Sequence, residues 1–417
     1  MIRKRIIIFL SVILGVGVVA FFLSKIASGY RLDLINRGLR PTGLLVANSL
    51  PNQASVYVNG KQIKNKTTTT LNLTPGEYQV EIKKDGFTSW SKKLLIEKEL
   101  VAKTDAYLFP TYPDLKALTF TGAAFPVMSP DGKKVVFAVD SENENDGLWV
   151  LDLGERPLGL PRDPRQIIQS APKGRDFAKA ECQWSPDSKQ ILITLTKTPA
   201  TAKTKVIEEN FLLNAAVLNP NTQLIDITTQ KESLFKGWQE EAEILQKDKL
   251  SRLPEELTAI LENAVKDITF SPDETKILYT ATASASIPKE LIPQLPGASS
   301  QPEQRNLEPG KIYVYDLKED RNFHLDLPEK TTVVGNWQLK DKNGDPKITW
   351  FPTSKHLFLI QKDKISIREY DNANQLDLYS GPFENSFAFV FPSGNRLLIL
   401  TSLSKDTPPN LYAITLR

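Results

Sequence analysis

Phe270–Ala283 reads FSPDETKILYTATA: an aromatic residue, Ser-Pro-Asp, polar residues, then a β-rich run. Close variants begin at Met128 (MSPDGKKVVFAV), Trp184 (WSPDSKQILITL), Trp350 (WFPTSKHLFLI) and Val390 (VFPSGNRLLILT). The five starts lie 56, 86, 80 and 40 residues apart, a repeat with insertions. Self-similarity on that scale marks propellers and solenoids. In each copy an apolar strand ends at the aromatic or apolar residue, a turn follows, and a second strand runs back. Proline fixes φ at the second turn position, and Asp or Ser side chains cap nearby amides. This gives Asp131, Asp187 and Asp273 a turn-forming role that needs no ligand. A third strand follows in GLWVLDL (Gly147), KIYVYDL (Lys311), KISIREYD (Lys364) and NLYAITL (Asn410), with QLIDITT (Gln223) as its match in the second unit. One such meander cannot bury both faces, whereas several arranged radially bury each sheet against the next and leave few free edges. Antiparallel units of this kind favour a propeller over a solenoid.

The last copy reaches Arg417 after three strands, so LKALTF (Leu115 to Phe120) is expected to supply its outer strand and join the domain's ends. Five blades are expected over 113–417, or six if Phe323 to Gln338 forms a degenerate one. The motif resembles the TolB-like and WD-repeat-like β-propellers. Two insertions interrupt it. Over about 231–266, Leu234, Trp238, Ala242 and Leu245, then Leu253, Leu257, Ile260, Leu261 and Val265, recur at helical spacing. Pro254 and Glu255-Glu256 suit the start of the second helix. A helical hairpin packed on the propeller rim is expected, its apolar stripe docked onto its own blade rather than onto a partner. Over about 284–310, five prolines without periodicity in ASIPKELIPQLPGASSQPEQRNLEPG predict a long loop.

At 417 residues the chain exceeds one ordinary small core, and 41% hydrophobic with 24% charged residues is a globular composition. A net charge of +3, from 52 basic and 49 acidic residues, leaves no footprint for nucleic acid. Cys182 is the sole cysteine, so no intramolecular disulfide exists. Arg3, Lys4 and Arg5 precede IIIFLSVILGVGVVAFFL, Ile6 to Leu23, whose one polar member is Ser11. With Ile26 and Ala27 this run approaches the roughly 30 Å needed to span a bilayer. The Lys25-Ile26-Ala27-Ser28-Gly29 stretch is a poor cleavage site, which favours an uncleaved signal anchor over 1–28. By the positive-inside rule the N-terminus is expected in the cytoplasm and everything after residue 28 outside, at the cell surface or in the periplasm. Residues 29–40 read as a juxtamembrane stalk, with a short helix at the headgroups as one form of it.

From Gly43 short β segments follow: GLLVANS, ASVYVNGKQI, TTLNL, GEYQVEIKK and SKKLLIEK. Tyr78, Val80 and Ile82 alternate with Gln79, Glu81 and Lys83, so one face is dry. Asn59-Gly60, Pro75-Gly76 and Asp85-Gly86 supply turns. Ser49 to Ala54, Val56 to Gly60, Thr67, Leu71, Pro75 to Tyr78, Val80, Gly86-Phe87 and Trp90 resemble the PEGA domain, a small prokaryotic surface β-sandwich, over 41–110. The departure is Asn52-Gln53-Ala54, where the family pattern has Glu-Gly-Ala. The resemblance implies a non-catalytic extracellular module.

No catalytic constellation assembles. G-x-S-x-G and H-E-x-x-H are absent. His324 and His356 read as strand residues, and Cys182 as a small buried hydrophobe. Asp140 to Gly147 looks like a calcium loop, but Leu153 falls where a bidentate Glu is required, so a solvated hairpin tip is expected. Asp341, Asn343 and Asp345 have alternate spacing, but Pro346 occupies the glycine position, which makes a turn. Asn65-Lys-Thr67 and Asn72-Leu-Thr74 match the short glycosylation sequon. No catalytic, cofactor or metal residue is assigned, no cofactor is expected, and the ligand-binding residues are left open. The chain reads as mainly β: a transmembrane helix, a PEGA-like sandwich and a propeller with a helical insertion. The leading function is a membrane-anchored extracytoplasmic binding or scaffold protein, its partner an envelope protein or a cell-wall glycan. A glycan-active propeller enzyme, with paired carboxylates near the axis, and a purely structural envelope component are the alternatives.

Overall fold

The computed structural model describes residues 2–27, 30–33, 38–154, 163–170, 175–197, 207–293, 299–335, 344–405 and 407–417. Asp341 and Asn343, the outer end of the candidate sixth blade (336–338) and part of the Pro-rich loop (294–298) lie outside them. The chain divides into two compact units. One comprises Met1–Thr111 with Pro293–Pro302, the other Tyr112–Ile292 with Glu303–Arg417.

In the first unit, helix α1 (Ile2–Ala27) carries a Phe9–Ile26 stretch long and apolar enough to cross a membrane. The stalk holds no helix among its described residues. Arg31–Asp33 pairs antiparallel with Gly38–Arg40 instead, since RLD and GLR carry no apolar periodicity that a helix could bury.

The β-sandwich follows. Its four-stranded sheet has the order Lys61–Lys66, Ser55–Val58, Gly76–Lys83, Trp90–Ile96. A three-stranded sheet places Gly43–Ala47 between Val101–Lys103 and Thr69–Leu73. Val56, Val80, Ile82 and Trp90 meet Leu45, Ala47 and Ala102 in the core. Tyr78 is half-buried, its hydroxyl 2.8 Å from that of Thr74. Asn59 and Gly60 both take positive φ, 49° and 76°, as a two-residue hairpin demands. Gln53, at the family pattern's glycine, takes φ 62°, and the following Ala54 is fully buried.

The second unit is a β-propeller. The first sheet runs Ala124–Met128, Lys134–Val139, Gly147–Asp152, Arg165–Gln169, and the second Glu181–Trp184, Gln190–Lys197, Ile207–Asn214. The third runs Val265–Phe270, Lys276–Ala281, Ile312–Asp316, Arg321–His324. The fourth runs Lys347–Trp350, His356–Ile360, Lys364–Glu369, Leu376–Ser380, with Thr332–Val333 added in parallel beside its first strand. The fifth takes Ala388–Val390, Arg396–Thr401 and Asn410–Thr415 from the C-terminus and Leu115–Ala117 from the start of the unit. Leu115 faces Ile414 and Ala117 faces Tyr412, so the two ends of the unit are stitched in one sheet. Residues 323–335 are shared between the third and fourth sheets and form no sheet of their own.

QLIDITT is not the third strand of the second sheet; Ile207–Asn214 is. Asp226 makes one isolated bridge to Phe211, and its Oδ1 accepts from the Thr228 amide at 2.8 Å, an Asx turn that bends the chain away.

The turns hold adjacent sheets together. In three of them the serine hydroxyl donates to the aspartate two residues on: Ser129 to Asp131 (2.6 Å), Ser185 to Asp187 (2.7 Å) and Ser271 to Asp273 (2.8 Å). The same aspartates accept the amides of Lys133, Lys189 and Thr275. The fourth turn residue is left-handed in every copy: Gly132 (67°), Ser188 (58°), Glu274 (56°), Ser354 (60°) and Gly394 (70°). Ser188 Oγ accepts the Asp131 amide of the preceding sheet at 3.1 Å, and Ser354 Oγ that of Asp273 at 3.0 Å. The indoles repeat the pattern, since Trp184 Nε1 donates to Val127 O and Trp350 Nε1 to Thr269 O. Apolar cores lie between first and second, fifth and first, and third and fourth sheets.

Between the second and third sheets the arrangement changes. Helix α2 (Lys231–Leu250) joins the core of the third sheet through its last residue, Leu250, and α3 (Glu255–Asn263) packs on the same sheet. Leu250, Leu257 and Leu261 pack on Ile277, Tyr279, Ala281 and Tyr313 there. The apolar stripe is thus docked onto the hairpin's own sheet, as its helical spacing implied. Beyond the Ala285–Ser286 and Asn306–Leu307 pairing, the Pro-rich insertion is tied by Arg305. Its guanidinium bonds Pro288 O and buried Asp320, whose carboxylate also receives the Tyr315 hydroxyl.

Candidate functional site

In the first, second, third and fifth sheets the first strand is the edge opposite the last, and in the fourth Thr332–Val333 lies outside it. A cleft of about 640 Å³ opens beside those first strands. Gln183 and Trp184 of the second sheet, Asp267, Ile268 and Thr269 of the third, and Val333 beside the fourth line it. Turn residues Pro130 and Pro186 and the backbone at Gly335 complete that side.

The facing wall is α2. Phe235, Trp238, Ala242, Leu245 and Lys249 recur at three- and four-residue steps, so they share one face of the helix. Phe235 and Trp238 meet edge to face with centroids 5.8 Å apart. Trp184 is packed away, its indole nitrogen committed to Val127 O, whereas Phe235 and Trp238 are half-buried. Leu245 is 56% exposed. Gln183, Gln239 and Gln246 supply amide donors and acceptors at the mouth.

Two details sharpen the site. A β-bulge between Lys266 and Thr269 puts Asp267 at φ 56°, which turns its side chain out of the ladder. The equivalent bulge in the first sheet puts Phe125 at φ 48°, 65% exposed. The buried Thr269 Oγ1 has no hydrogen-bond partner among the described residues. Lys249 Nζ reaches Glu274 at 2.7 Å, so the cationic end of the cleft is already paired.

Among the described residues Asp267 is the one carboxylate lining the cleft, and no group of three or more His, Cys, Asp or Glu side chains could hold a metal ion. His324 is half-buried beside Tyr313, and burial lowers its pKa. His356 is buried with Nδ1 2.8 Å from Thr353 Oγ1. Cys182 is buried. In the Asp140 to Gly147 stretch, Asp146 Oδ1 accepts the Ser141 amide and Asn143 Oδ1 the Asn145 amide, so those oxygens serve the turn. Such an arrangement suits holding a ligand of mixed character: apolar side chains against α2, and amide-bonding groups at the mouth. Sequence reading left this site open. Its available signal was Phe235 with Trp238, two aromatic residues one turn apart on the inserted helix.

Residues 42–111 match the family model described as the PEGA domain. No curated protein sequence matches the chain. Among solved structures, TolB from Acinetobacter baumannii is 14% identical, covering 82% of this chain and 61% of that one at a TM-score of 0.21. Kuenenia stuttgartiensis hydrazine synthase is 14% identical, covering 90% and 96% at a TM-score of 0.19. The chain thus spans less than two thirds of the Acinetobacter protein, and overlaps at such TM-scores bear on neither ligand nor activity.

Proposed function

We propose that this chain is a single-pass membrane protein, N-terminus in the cytoplasm, that presents a five-bladed propeller outside the membrane as a non-catalytic binding module. The sandwich over 41–110 acts as the spacer, and the cleft beside α2 is the ligand site. An extended segment of another envelope protein is the ligand that suits it best. The observation that carries this reading is the α2 wall. Leu245 stays exposed on the same helix face as half-buried Trp238 and Phe235, an apolar surface of the kind that marks protein contacts. The Gln side chains beside it match the donors and acceptors of a peptide backbone.

A photo-crosslinking residue at position 245 is expected to trap one protein adduct in native envelopes, saturable with added purified protein. Trp238→Ala should weaken that adduct about tenfold or more, as loss of an aromatic anchor does. Retention on protein-free cell-wall glycan, lost in the same variant, would replace the protein partner with a polysaccharide. Hydrolysis of that glycan would favour the enzyme alternative.

A further inference from the structure

Between α1 and the sandwich, Tyr30 meets lysines of both. Tyr30 follows the Phe9–Ile26 span by four residues, at most about 14 Å of extended chain. Its amide donates to Lys25 O at 2.9 Å. Lys25 Nζ lies 4.5 Å from the centre of its ring, and Lys98 Nζ of the sandwich lies 5.4 Å from it. Two ammonium groups therefore flank one tyrosine just beyond the apolar run, where tyrosine and lysine collect at bilayer interfaces.

Lys98 belongs to the turn Glu97–Leu100, which is fixed to the incoming chain rather than loose. The Glu99 amide donates to Thr42 O at 3.1 Å and the Leu44 amide to Leu100 O at 2.9 Å. Gly43 lies so close that a Cβ there would meet Glu97 O at 2.2 Å. The pairing of Arg31 with Arg40 sets those two positions side by side. The remaining links, Ile26 to Arg31 and Arg40 to Gly43, span at most about 30 Å. The side chains of Glu97, Lys98 and Glu99 all face solvent, and Lys98 and Glu99 form a loose pair at 3.6 Å.

We infer that this turn is a lipid-headgroup contact, with Tyr30 as its interfacial anchor and aminophospholipid headgroups as its ligand. Lys25 and Lys98 match the headgroup phosphate, and Glu97 and Glu99 match its primary ammonium. A plain anionic headgroup satisfies the lysines but repels the two carboxylates, which is why the zwitterionic class fits better. The contact seats the sandwich on the bilayer. It rests on α1 being retained as the membrane span, and it is independent of the cleft.

Full chain in nanodiscs, rich either in phosphatidylethanolamine or in phosphatidylglycerol, tests this through lysine acetylation followed by mass spectrometry. Lys98 should react about fivefold more slowly in the ethanolamine discs, with Lys66 and Lys189 unchanged as internal references. Glu97→Gln with Glu99→Gln should abolish the difference between the two lipids while the protein stays folded. Equal Lys98 rates in both discs, or a difference that survives in the double variant, would overturn the headgroup assignment. Loss of the α1 peptide from membrane-isolated protein would overturn the span and this contact together. A retained α1 with unprotected Lys98 would overturn the contact alone.

Discussion

At the scale of single residues, the fourth position of the repeated turn separates two demands. It must be left-handed, which glycine meets without strain in Gly132 and Gly394. Ser188 and Ser354 accept the strain, and their hydroxyls take an amide from the preceding sheet. Glu274 carries the same φ with no cross-sheet bond of this kind. In a Lys249→Ala background, which removes the Glu274 ion pair, thermal unfolding should therefore show Glu274→Gly more stable by about 0.5–1 kcal/mol. Ser188→Gly should instead be less stable by roughly 1 kcal/mol, because the Asp131 amide loses its acceptor. Both variants moving the same way would refute this division of roles. The turn aspartates also set an acid limit. Asp187 receives the Ser185 hydroxyl, the Lys189 amide and the Lys189 charge, which hold its pKa below the ordinary carboxylate value. A depressed folded pKa contributes stability that is complete above the unfolded value, about 3.9, and lost as pH falls toward the folded one. Denaturation midpoints of wild type and Asp187→Asn should thus converge below about pH 4 and separate above it. The Ser-Pro-Asp turns were legible because proline and aspartate act on their own backbone. Which hydroxyl reaches a neighbouring sheet was not, since that bond joins residues 57 or 81 positions apart.

Among the elements, the helical hairpin shows what periodicity reveals and what it leaves out. The spacing of Leu253, Leu257, Ile260 and Leu261 marks an apolar face, but it does not name the surface that face meets. The structure gives α3 a sheet face and leaves the Phe235–Leu245 side of α2 to line the cleft. QLIDITT misleads for a related reason: its alternation suits a strand, but the Asx turn at Asp226 overrides it within two residues. The Pro-rich insertion, without periodicity, gave no hint of its buried tie. Arg305→Ala should cost about 3–5 kcal/mol, because it strands the Asp320 carboxylate without its ion pair. Urea unfolding measures this, and a loss under 1 kcal/mol would mean that the tie contributes little. Replacing exposed Arg252, paired with Asp248 on the surface, should change stability by less than about 1 kcal/mol.

For the whole molecule, the sequence carried the order of parts in strong local signals: an apolar run, a sandwich pattern, then repeated turns. Stitching of the fifth sheet by Leu115–Ala117 was inferable because a ring needs each sheet complete, and three C-terminal strands fell one short. The ligand cleft was out of reach, since Gln183, Trp238, Asp267 and Val333 converge from four separate segments. The proposal stands or falls on which side of the membrane those segments face. With Cys182→Ser as background, Lys236→Cys places one exposed thiol on α2. Treating intact spheroplasts with a membrane-impermeant maleimide should label it fully before lysis. Labelling that appears only after lysis would put the propeller in the cytoplasm and contradict the account.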